Sequence, residues 1–190
     1  MNLRRYPDAL THLEVLRNRT PEDGELLFLT GQCQQAEGQT ADALNQHLRA
    51  IEHASGEVDY YAQLLALINT NPDELPFRED LAELDVKDSF KQIFPIREES
   101  MDAEIVAEQL LEIMVMEGQP TYRALLVRAT YRKNRGLLKQ AGEDIDLALL
   151  EAGENPDVLL MAIDLQRTWA QTAHQEVRPK EADDHLEKAR

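Results

Sequence analysis

Five positions in this chain recur 98 residues apart. Leu27, Gly31, Gly38, Ala43 and Ala50 form one set, and Leu125, Ala129, Gly136, Ala141 and Ala148 repeat it in the same order. Within each set the apolar and small residues of one helical run are spaced four or seven apart, which places them on one face of a helix. A glycine separates the two helical runs both times. Glycine is the residue that most easily takes the left-handed turn closing a helix. A chain that repeats helix, glycine turn, helix is thereby constrained to fold as stacked helix pairs.

Composition agrees. Leu and Ala are abundant and aromatic residues make up 5%, which favours helix over strand. A length of 190 residues, 43% apolar, supports one sizeable core or a short repeat array. The formal net charge of −16 argues against nucleic acid or an anionic membrane as partner. It reads as solvated helix faces, or more sharply as attraction to a basic partner. Cys33 is the single cysteine, so an internal disulfide and a four-cysteine zinc site are excluded. It falls in a helical pattern and reads as a small packing residue. No run of about 18 apolar residues offers a membrane span. Residues 1–10 lack the apolar core of a signal peptide. A cytoplasmic setting is favoured, with an excised signal peptide as the other reading.

Periodicity predicts helices over 7–18, 25–36, 41–53, 59–69, 102–117, 122–134, 138–151, 157–172 and 179–190. Thr40 is the expected cap of the third of these. Residues 71–98 break the pattern with Pro72, Pro76 and Pro95. They also carry Leu75, Phe77, Leu81, Phe90, Ile93 and Phe94, too apolar for a free linker. One or two short helices, near 78–85 and 87–94, are expected there.

Ala-x3-apolar-x2-apolar/Ala recurs at Ala9, Ala43, Ala107, Ala141 and Ala182, with spacings of 34, 64, 34 and 41 residues. Against a 34-residue period, the 30-residue excess falls on 71–98 and the 7-residue excess near 170–180. Small residues at these places let paired helices approach closely. The pattern resembles the tetratricopeptide repeat family. Tyr6, Ala9, Leu13, Leu16 and Pro21 match the second half of one repeat. Leu27 to Ala50 match a full repeat, and Leu125 to Ala148 another. Tyr61 and Leu64 open a repeat that Ala107, Leu111 and Met114 complete after the insertion. The last repeat is degenerate, its register open between Val158 and Leu159. The expected organisation is one array: a half repeat over 7–23, repeats over 24–57, 58–120 (with insertion 71–98) and 121–155, and a degenerate one over 156–190. Three departures stand out. Leu27, Tyr61 and Leu125 replace the usual tryptophan. His47 replaces an apolar residue. Arg128 and Arg132 fall where the family buries apolar side chains.

The resemblance implies an all-α, right-handed superhelical solenoid of helix pairs whose first helices line a concave groove. It implies a groove lined by Phe28, Gln32, Gln35, Gln63, Asn69, Arg123, Thr130, Lys133 and Asn134. Of the two-lysine, arginine and asparagine clamp by which some members grip a C-terminal carboxylate, only Arg123 has a counterpart, so no such clamp is expected. The leading function is a non-catalytic protein–protein interaction scaffold that binds a peptide or helix. The alternative is a regulatory or substrate-docking segment of a larger enzyme. A third reading is self-association through open repeat ends. The chain begins and stops within repeats, so a segment of a longer protein is expected.

Residues 121–140 carry six basic residues and no acid, while 72–112 carry thirteen acids against four bases. Either the acidic insertion docks beside the basic helix, or that helix receives an acidic peptide. Catalysis finds no support. His12, His47, His53, His174 and His185 are scattered, and no phosphate loop or nucleophile elbow occurs. No metal or cofactor is called for. Tyr60, Tyr61 and Trp169 read as packing residues.

Overall fold

The computed structural model describes residues 6–84 and 86–188, with side chains described as far as Thr172. Among the described residues there are nine α-helices, two 3-10 turns and no strand. The chain forms two compact units, Met1–Pro120 and Thr121–Arg190.

The first unit contains α1 (Tyr6–Arg17), α2 (Gly24–Ala36), α3 (Thr40–His53), α4 (Val58–Thr70), the short α5 (Asp88–Gln92) and α6 (Ala103–Glu117). Asp23 starts α2 by accepting from the N–H groups of Glu25 and Leu26, at 3.0 and 3.1 Å. Asp102 starts α6 in the same way, through Glu104 and Ile105. Thr40 does not cap α3. It is the first residue of the helix and is buried, and Gln39 precedes it without a side-chain cap. Gly38, at φ +79°, turns the chain from α2 into α3. The pair closes tightly: Leu27 and Gly31 of α2 and Ala43, His47 and Ala50 of α3 are all buried. α1 packs on α2, α3 on α4, and α4 on α6. The repeat interrupted by the insertion is therefore closed in space, with Tyr61 and Leu64 buried on α4 and Ala107, Leu111 and Met114 buried on α6.

The insertion folds onto its own unit. It forms 3-10 turns at Pro72–Glu74 and Arg78–Leu81 and then α5, shorter than the expected helices. Leu75, Leu81, Val86, Phe90, Ile93 and Phe94 are buried. Phe90 meets Tyr61 with ring centroids 6.3 Å apart, and Glu52 of α3 accepts from the Lys87 N–H at 2.9 Å. Arg78 holds the segment together, donating to the carbonyls of Phe94 and Gln92 at 3.2 and 3.1 Å.

The second unit contains α7 (Thr121–Asn134), α8 (Leu138–Ala152) and α9 (Pro156–Lys188). Gly136, at φ +76°, joins α7 to α8 as Gly38 joins α2 to α3. Ala129, Ala141, Ile145 and Leu165 share one core, and Ala148 is buried. α9 is one continuous helix where two were expected. The break inferred from the longer alanine spacing is absent, and the backbone stays helical to Lys188. Val158 is fully buried and Leu159 is 44% exposed, so Val158 starts the inward row of α9. Trp169 is also 42% exposed, not a fully packed core residue. The side chains of His174, Ala182, His185, Leu186 and Ala189, on which the last repeat was read, lie outside the described residues.

Candidate functional site

In the first unit, Phe28, Gln32 and Gln35 are spaced four and three residues apart and share one face of α2. Two contacts bring α4 against that face. The Phe28 ring stacks on Tyr60 with centroids 4.5 Å apart and planes 23° apart. The Gln63 Nε2 amide donates to Gln35 Oε1 at 2.7 Å. Phe28, Gln32, Gln35, Tyr60 and Gln63 are all half-buried. They form a ridge with an aromatic pair at one end and an amide pair at the other. Asn69 does not join it. It lies further along α4, exposed, with its amide donating to its own helix at the Leu65 carbonyl, 2.8 Å away.

The aromatic end lies in an acidic setting. Burial, then the carboxylates of Glu57, Glu25 and Asp23, push the Tyr60 phenol above its ordinary range. Beneath the ridge, His47 lies 5.5 Å from the Phe28 ring and is fully buried, its pKa lowered to about 4 by desolvation. Its ring occupies the space beside Gly31, where a Cβ would come within 2.8 Å of its Cε1 atom. In the second unit the same register pairs Ala129 with Ile145. A glycine thus admits the larger ring.

The second unit resolves its basic helix internally. Arg128 is buried and bonds Asp144 of α8, and Arg132 reaches the other oxygen of the same carboxylate at 3.0 Å. Lys133 forms an ion pair with Asp164 of α9. That ion pair draws the exposed Asp164 carboxyl below its usual range, chiefly through the Lys133 hydrogen bond. Thr130 donates to the Leu126 carbonyl at 2.8 Å and lies 4.0 Å from the Met161 sulfur of α9. Arg123 and Asn134 are exposed on α7. Thr130 and Lys133 therefore lie at a helix–helix contact within this unit. Tyr60, Asp144 and Asp164 were not among the expected site residues. Tyr60 reads in the sequence as a packing residue, and an acid twelve to thirty-one residues from its arginine or lysine has no local signature in a chain so rich in acids.

Cys33 is half-buried, and burial followed by Glu37 pushes its thiol up, away from the reactive thiolate. Among the described residues no group of three or more His, Cys, Asp or Glu side chains is placed to hold a metal ion. No helix among them is long and apolar enough to cross a membrane.

No known family's sequence profile matches the chain, and no curated protein matches it. Among solved structures, this chain is similar to one described as the Arabidopsis OM64 TPR domain. The match has 18% sequence identity and a TM-score of 0.43, and covers 76% of this chain and 94% of that one.

Proposed function

We propose that this chain is a non-catalytic interaction module and that the α2–α4 ridge of its first unit binds a peptide from a protein partner. One observation carries the reading. Phe28 stacked on Tyr60 and Gln35 bonded to Gln63 set two helices side by side with aromatic and amide groups still half-open. Amides supply both donors and acceptors for a peptide backbone, and an aromatic pair supplies a flat apolar anchor. The carboxylates of Glu25 and Glu57 beside that anchor favour a lysine or arginine of the ligand there, helped by cation–π attraction to the rings. An acidic ligand on α7 competes with Asp144 and Asp164, so the proposal rests on the first unit.

Selection of binders from a random peptide library displayed on phage, with the full chain as bait, tests this. Selected peptides are expected to be enriched in basic residues. Phe28→Ala and Gln63→Ala are expected to weaken their binding by roughly tenfold or more, as anchor truncations do. Equal binding to both variants, with unchanged circular dichroism, would remove the ridge as the site.

A further inference from the structure

The groove between α8 and α9 has a volume of about 280 Å³. Its floor is apolar, formed by Ile145 and Leu149 of α8 and Ala162, Leu165 and Trp169 of α9. Gly142 lies against the indole, where a Cβ would make an ordinary van der Waals contact at 3.5 Å. In each earlier pair the first helix is covered by a second: α2 by α3, α4 by α6, α7 by α8. α9 runs on without a turn to Lys188, and among the described residues no helix doubles back onto this face.

Charge identifies the occupant. Asp144 and Asp164 are already neutralised by Arg128, Arg132 and Lys133. Glu143 and Asp146 line the groove against the single base Lys139, and Glu151, Glu154 and Asp157 stand exposed around the α8–α9 connection. A second copy of this chain brings a further net charge of −16. Its terminal helix with an exposed apolar edge, α1, carries Asp8 and Glu14 beside Val15 and Leu16. We propose that the α8–α9 groove receives an amphipathic helix with a basic solvent-facing side, supplied by another protein, in the place a second helix occupies in the earlier pairs. Apolar residues of the incoming helix at three- and four-residue spacing would cover Trp169, Leu165 and Ala162, and its lysines or arginines would face Glu143 and Asp146.

Trp169 is the only tryptophan of the chain, so its fluorescence reports this groove alone. The full chain is titrated with a synthetic helical peptide of the length of α8, 15 residues, bearing a Leu/Ala stripe and lysines elsewhere. A control peptide has glutamates in place of the lysines. The lysine peptide is expected to give a saturable blue shift of Trp169 at affinity about tenfold or more above the glutamate peptide. Ala162→Asp and the double variant Glu143→Lys/Asp146→Lys are expected to weaken it about tenfold. Val15→Asp, which lies on α1 outside both the groove and the ridge on α2 and α4, is expected to leave it unchanged. Equal binding to all variants would mean unspecific charge attraction and overturn the proposal. So would the absence of any shift. Concentration-dependent dimers that bury Trp169 without peptide, seen by sedimentation, would assign the groove to a second copy instead.

Discussion

Arg128 Nε and Nη2 both donate to one oxygen of Asp144, at 3.0 and 2.6 Å, inside the α7–α8 pair. The other carboxylate oxygen takes Arg132. Three charges are thus removed from water in a helix contact that apolar residues would ordinarily fill. Removing one partner of such a pair leaves the others uncompensated. Asp144→Ala is expected to destabilise the fold by about 3–5 kcal/mol in chemical denaturation. Asp144→Leu combined with Arg128→Leu and Arg132→Leu is expected to recover most of that loss. A triple variant no more stable than Asp144→Ala would show that the ions, and not the volume they fill, hold α7 to α8.

His47 makes the first unit sensitive to acid. Its pKa is near 6.5 when the chain is unfolded and about 4 when folded, because burial disfavours the imidazolium. The unfolded chain therefore binds the extra proton between those values. Its contribution is fully present above about pH 6.5 and is lost as pH falls towards 4, to the extent of ~3 kcal/mol. Urea midpoints of the wild type and His47→Leu, compared at pH 7 and pH 4.5, measure this. The variant is expected to lose less stability on acidification, and parallel losses would assign the acid response to carboxylates.

Gly31 and His47 form a size-matched pair. Gly31→Ala forces a methyl against the imidazole and is expected to cost about 1–3 kcal/mol, the range of core overpacking. The second unit shows the compensation, since Ala129 and Ile145 fill the same register. Gly31→Ala/His47→Ile is expected to restore much of the loss. A double-mutant cycle measures the coupling, and simple additivity of the two changes would refute it.

The insertion is part of the core of the first unit. Phe90 is fully buried and faces Tyr61. Phe90→Ala is expected to cost about 3–5 kcal/mol in thermal or urea unfolding. Deletion of residues 71–98 is expected to destabilise the unit further, because it uncovers Tyr61. Unchanged melting after deletion would sink the docked insertion.

Much of the fold was legible in particular residues. Gly38 and Gly136 announced their turns because a positive φ asks for glycine. Ala43, Ala50, Ala107, Ala141 and Ala148 announced the close helix contacts, and all are fully buried. Thr40 misled because a capping hydroxyl and a buried first-turn hydroxyl look alike in sequence. The continuity of α9 is hidden in the sequence because a spacing excess reads as a break, though a helix can absorb extra residues. The candidate ridge was half legible. Phe28, Gln32, Gln35 and Gln63 were expected there only through the family resemblance, and Tyr60 was not, because its place comes from the ring stacked on it. The partners of Arg128 and Lys133 were hidden for another reason. Asp144 and Asp164 are two of 36 acids, and only the packing of α8 and α9 on α7 selects them.

The insertion also sets the entropic cost of closing the helix pair that it interrupts. Only residues 37–39 separate α2 from α3, whereas residues 71–102 separate α4 from α6. The ratio of those loop lengths, 32 to 3, makes closing α4 on α6 costlier in chain entropy by about 2 kcal/mol. The α2–α3 hairpin is held by local contacts, while the α4–α6 pair draws on the burial of the segment between them against Tyr61. The acidic insertion that interrupts the repeat thus offsets, through Phe90, the closure cost that its own length imposes.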